Sequence, residues 1–127
     1  MSGFPTTVAR LAFEPGGRWM ACDGGAAVAF WDFSGAGPTG REAVLGEGYD
    51  DAVTALGWSG DDSRTLLTGD ATGTVATWRL GRATRPGDRI RPIASRATGD
   101  PVTALAVASG QVLAGHHSGA LSCGPVP

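Results

Sequence analysis

The chain has no lysine, no asparagine and only two cysteines in 127 residues. Without lysine there is no Gly-x-x-x-x-Gly-Lys loop to cradle a nucleotide phosphate. Cys22 and Cys123 cannot form a disulfide framework, and no Cys-x-x-Cys spacing supports a zinc site. Both cysteines fall in strand-like segments, so both are expected to be small buried hydrophobes. No stretch approaches the roughly 20 apolar residues of a membrane-spanning helix. The first residues, Met1-Ser-Gly-Phe-Pro-Thr-Thr7, lack the basic and apolar regions of a secretory signal. A cytoplasmic protein is therefore the default expectation, with no membrane partner. The net charge of −2 gives no footprint for nucleic acid. All ten basic residues are Arg, which together with abundant Ala and Gly reads as bacterial-like, GC-rich codon usage.

Chemistry is sparse too. His116 and His117 are adjacent, and neighbours on a strand point to opposite faces, so an extended chain cannot aim both at one metal. There is no Gly-x-Ser-x-Gly elbow and no helix for one to enter, so no nucleophile is singled out. The Arg-rich segment from Arg79 to Arg91 has no interleaved aromatic on which bases would stack. Neither a cofactor nor a catalytic residue is expected.

What the chain does have is repetition. Val8-Ala-Arg-Leu-Ala-Phe13, Val53-Thr-Ala-Leu-Gly-Trp58 and Val102-Thr-Ala-Leu-Ala-Val107 recur at spacings of 45 and 49 residues. Each is followed by a second shared phrase, ending Val28-Ala-Phe-Trp31, Val75-Ala-Thr-Trp78 and Leu121-Ser-Cys-Gly124. Between them lie turns such as Glu14-Pro-Gly-Gly17 and Ser59-Gly-Asp-Asp62, with the Pro, Gly and Asp that tight turns need. Glu42–Leu45 and Arg89–Ala94 read as fourth strands of the first two repeats; Pro92 suits an outer edge.

Short alternating strands repeated at this length indicate a β-propeller. A β-sandwich of about eleven strands is the competing architecture, but it does not explain why both phrases recur in the same order. The blades are assigned to about 8–46, 53–95 and, lacking its outer strand, 102–124. Rings use about 4–8 blades, so this is an arc that one chain does not close. Its exposed ends are expected at Leu11, Phe13, Val28 and Phe30, and at Leu105, Val107, Val112 and Leu121.

Phe30-Trp31-Asp32-Phe33, Gly73-Thr-Val-Ala-Thr-Trp-Arg-Leu80 and Val53-Thr-Ala-Leu-Gly-Trp-Ser-Gly-Asp-Asp62 resemble the WD-repeat (WD40) pattern. The likeness runs from Val8 to about Gly124 and is strongest in the second repeat. It implies Trp31, Asp32, Thr68 and Trp78 as structural signature positions, with Tyr49 in the family's His place and Thr72 in its Asp place. It also implies a non-catalytic protein-interaction scaffold, part of a larger propeller or completed by oligomerisation. The alternatives are a ligand-binding or enzymatic propeller with its site on the central channel, and a purely structural oligomer.

In such a blade the links between repeats share a face with the turns from second to third strand. This link face would carry Asp23, Tyr49, Asp50, Asp51, Asp70 and Asp100, with His116 in register with Asp23 and Asp70. Acidic residues favour turns on their own account, but a cluster of them also steers a basic partner. The expected partner is a protein or peptide, and the acidic cluster points to a basic one.

Overall fold

The computed structural model describes residues 7–24, 28–48, 51–61 and 63–127, and every regular element among them is a strand. The first sheet holds β1 (Leu11–Phe13), β2 (Trp19–Asp23), β3 (Val28–Asp32) and β4 (Val44–Gly46) in sequence order. The second holds β5 (Val53–Trp58), β6 (Thr65–Asp70), β7 (Thr74–Arg79) and β9 (Ala94–Ala97). The third holds only β10 (Val102–Ala108), β11 (Gln111–His116) and β12 (Leu121–Pro125). Each sheet is built on one repeat, whose own strands pair antiparallel, and the three sheets do not close on themselves.

The fourth strand of the second blade lies further along than the sequence indicates. Arg89–Ile90 forms β8, which pairs parallel to β4 of the first blade and gives that sheet a fifth strand. Pro92 explains the split, because it has no N–H to contribute to a ladder. Before it, Leu45 N donates to Asp88 O at 2.9 Å and Glu47 N to Ile90 O at 2.7 Å. After it, Ile93 N donates to Thr77 O at 2.8 Å and β9 runs along β7. The segment thus straps the outer edge of blade 1 to blade 2.

Alternation along the strands decides which side chains meet. Trp19, Ala21, Val28, Phe30 and Val44 of blade 1 pack against Leu66, Trp78 and Leu80 of blade 2, with Leu56 and Trp58 alongside. Phe30 lies edge-on to Trp58 at 6.0 Å between ring centres, and Trp58 Nε1 donates to Ala12 O at 2.9 Å. The other face of blade 2 brings Ala55, Leu67 and Val75 onto Val102, Val112 and Ala114 of blade 3, with Leu105 and Val107 beside them. A Cβ on Gly69 would stand 2.4 Å from Val102, so only glycine permits this approach.

Two expectations about the ends are corrected. Val28 and Phe30 are fully buried between blades, not exposed; at that end Leu11 and Phe13 are 67% and 54% exposed. At the other end Leu105, Val107 and Val112 turn toward blade 2, and the open face carries Leu113 and Leu121 at 42% and 73% exposure. Cys123 shares that open face and is exposed; only Cys22 is buried. The reason is parity: along a strand each residue faces opposite to its neighbour, and the hydrophobic character of both neighbours hides which one turns inward.

Candidate functional site

The link-face acids do three different jobs. Asp70, only 3% exposed, closes the turn between β6 and β7. Its Oδ1 accepts from Thr72 N at 2.9 Å, Thr72 Oγ1 at 2.7 Å and Thr74 N at 2.9 Å. Thr72 is therefore the partner of a carboxylate and not its substitute. The turn also needs Gly73, whose φ of +94° is left-handed and whose Cβ would strike the Asp100 backbone at 2.6 Å.

Asp23 is 5% exposed and serves blade 1. Its Oδ1 accepts from Ala9 N at 3.0 Å and Arg10 N at 2.8 Å, and its Oδ2 lies 3.7 Å from Arg10 Nη1. It is not in register with Asp70 and His116. Val53 pairs with Asp70 and Val102 with His116, but Leu11 pairs with Cys22 in the way that Leu56 pairs with Thr68. Asp23 thus takes the place of Gly69, because its turn to the third strand is one residue shorter.

Asp100 and His116 come together in blade 3. His116, 7% exposed, places Nδ1 2.9 Å from Asp100 O and Nε2 2.8 Å from Ser122 Oγ. A carbonyl only accepts, so Nδ1 carries the proton, and in the neutral ring Nε2 accepts from the Ser122 hydroxyl. The Asp100 carboxylate receives Ser118 N at 3.4 Å and the Ser118 hydroxyl. This His–Ser pairing is the site feature that sequence reading missed. The one available signal was His116 closing the second strand of a repeat whose third strand, six residues on, carries Ser122.

Asp51 is exposed. Together with Asp70, Thr72, Thr74, Ser95 and Pro92 it lines a pocket of about 180 Å³ at the rim between blade 2 and the link from blade 1. Two carboxylates among hydroxyls, with an apolar floor at Ala76, suit a cationic side chain. Tyr49 and Asp50 lie outside the described residues. A second, more open hollow of about 380 Å³ runs along the first strands of all three blades, past Arg10, Thr54 and Thr103. Arg10 is the one ionisable side chain among the residues lining it.

The signature positions are structural. Trp78 Nε1 donates to Thr68 Oγ1 at 2.8 Å, and both residues are completely buried. Trp31 is buried on the outer side of blade 1 with Met20, Cys22 and Ala29. Asp32 receives Arg18 Nε at 3.3 Å, Arg18 Nη2 at 3.2 Å and Ser34 N at 2.9 Å, with Arg41 Nη1 3.4 Å away. Burial acts to raise its carboxyl, but the Arg18 and Ser34 hydrogen bonds outweigh this and hold it well below the usual carboxylate range.

No known family model matches the sequence, and no curated protein sequence does either. Solved structures do. The WD40 domain of Toxoplasma gondii coronin superposes with a TM-score of 0.80 at 18% identity, over 91% of this chain and 31% of that one. The Cps50 (Swd1) β-propeller domain of Myceliophteria thermophila gives 0.70 at 18% identity, over 94% of this chain and 38% of that one. The fold is that of a WD40 β-propeller. A chain of an active polycomb repressive complex 2 matches the whole of this one, with a TM-score of 0.77, 15% identity and 31% of its own length covered. The chain thus spans about a third of the length of these structures. It is an incomplete propeller, with three sheets in an open arc.

Proposed function

We propose that this WD40 arc is a non-catalytic protein-interaction scaffold whose link face receives a basic peptide or loop. The observation that carries the reading is the rim pocket, where exposed Asp51 and buried Asp70 stand among Thr72, Thr74 and Ser95. Its size fits one side chain, and its carboxylates favour a guanidinium or ammonium group. The fold supports the same reading, since one of the matching chains belongs to a multi-protein complex, polycomb repressive complex 2. Asp23 and Asp70 hold their own loops, so Asp51 is the acid that offers charge to a partner.

A cytoplasmic setting and the absence of chemistry belong to the proposal. The enzymatic alternative has one observation in its favour, the Ser122–His116 contact at 2.8 Å. That pair stands on the face of blade 3 that turns toward blade 2, away from the hollow along the first strands. The test is an anisotropy titration with a fluorescent Arg- and Lys-rich peptide and its Glu-substituted counterpart. Saturable binding of the basic peptide alone supports the scaffold. Equal binding of both, or of neither, overturns it.

A further inference from the structure

The two ends of the arc are the separated halves of a contact that the chain makes twice internally. At the first junction Ala21 and Val28 of blade 1 meet Leu56 and Trp58 of blade 2. At the second junction Leu67 and Val75 of blade 2 meet Leu105 and Val107 of blade 3. These are equivalent positions of the repeat, the first pair in the second and third strands and the second pair in the inner strand. One repeat further along, the first pair is Leu113 and Leu121 of blade 3. One repeat further back, the second pair is Leu11 and Phe13 of blade 1.

Those four side chains lack a neighbouring blade, and they are exposed by 42%, 73%, 67% and 54%. They make up most of the large exposed hydrophobics among the described residues; the others are Val8 and Ile93. Elsewhere on the outer face of blade 1, Met20, Cys22, Ala29 and Trp31 are already buried. The inner strand β1 is therefore what that end presents. This matches the internal junctions, where the inner strands β5 and β10 contact the first two strands of the preceding blade.

We infer that two copies of this chain dock head to tail, with β1 of each laid on β10 and β11 of the other. The inference rests on the scaffold reading and goes beyond it by naming the occupant of both open faces. Both halves of the contact are in one sequence, so a second copy supplies what each end lacks. The contact is heterologous, and two such contacts related by a twofold axis close a ring. Two copies of three sheets give six blades, within the 4–8 that propeller rings use. Cys123 would sit beside Phe13 of the other copy, as Phe30 sits beside Trp58.

Light scattering on the purified chain, with Leu121→Arg, Leu11→Arg and an equimolar mixture of the two variants, tests this. The expected mass is twice 12.8 kDa for the wild type, half that for either variant alone, and the doubled value again for the mixture. The mixture recovers one junction, because each variant keeps the half that the other lost. As a second readout, Phe13→Cys with a short bis-maleimide should give a covalent dimer that Cys123→Ser abolishes. This readout holds even if an Arg variant fails to fold. A monomeric wild type, a dimer that survives both Arg substitutions, or larger open assemblies would overturn the two-copy ring. A monomer that still binds the basic peptide would overturn the docking and leave the scaffold reading standing.

Discussion

Inside blade 2 the indole of Trp78 donates to the hydroxyl of Thr68 at 2.8 Å, tying the third strand to the second from the side that faces blade 1. Both side chains are fully buried, so neither recovers that bond from water in the folded state. Trp78→Phe and Thr68→Val should each destabilise by about 1–3 kcal/mol, the usual cost of breaking a buried hydrogen bond from one side. A double-mutant cycle in urea should give a total smaller than the sum of the single losses. Strict additivity would contradict the assignment.

Gly69 sets how closely blades 2 and 3 approach. A methyl group there would stand 2.4 Å from Val102 Cγ1 and 2.6 Å from its Cβ, both on a β-branched side chain with little rotameric freedom. Gly69→Ala should cost about 1–3 kcal/mol through overpacking, and Val102→Ala in the same chain should recover part of it. Thermal melts of the single and double variants decide this; a neutral Gly69→Ala is the contrary result.

Asp32 makes stability depend on pH in a definite direction. Its folded carboxyl lies below the ordinary value of 3.8 because Arg18 and Ser34 hydrogen-bond the charged form. A depressed carboxyl contributes stability that is fully present above the unfolded value and lost as pH falls through the folded one. Asp32→Asn should lower stability at neutral pH and narrow its gap to wild type below about pH 4. Parallel stability curves for the two proteins across that range would refute the role given to Asp32.

The two thiols should differ in reactivity. Burial pushes the Cys22 thiol up, with Asp23 adding to the effect, although a hydrogen bond with Trp31 works the other way. Cys123 is exposed. In the native protein iodoacetamide should modify Cys123 alone, and Cys22 only after denaturant is added. Mass spectrometry of the alkylated protein reads the order directly; early loss of Cys22 would argue against the blade 1 core.

Much of this architecture is legible in the sequence, because a repeat states its strands several times over. The inner strands follow from the recurrence of Val-x-x-Leu, and the third strands of blades 1 and 2 from that of Val-x-x-Trp. What escapes is decided by long-range geometry. Nothing local says that Arg89–Ile90 joins the sheet of blade 1, since that pairing spans two blades. Nothing local says that Phe30 is an inward position and Leu113 an open one, since each lies within an apolar run. The link-face acids show the same limit. Asp23, Asp51 and Asp70 look alike as turn residues, and only backbone N–H groups brought close by folding separate the loop-holding pair from Asp51.

The association rate of a basic peptide with the wild type and with Asp51→Arg, followed by stopped flow at low and high salt, tests the scaffold most directly. The wild-type rate should fall as salt rises, the variant should be slower at low salt, and the two should converge at high salt. Indistinguishable rates at low salt would contradict a link face that recruits its partner through Asp51.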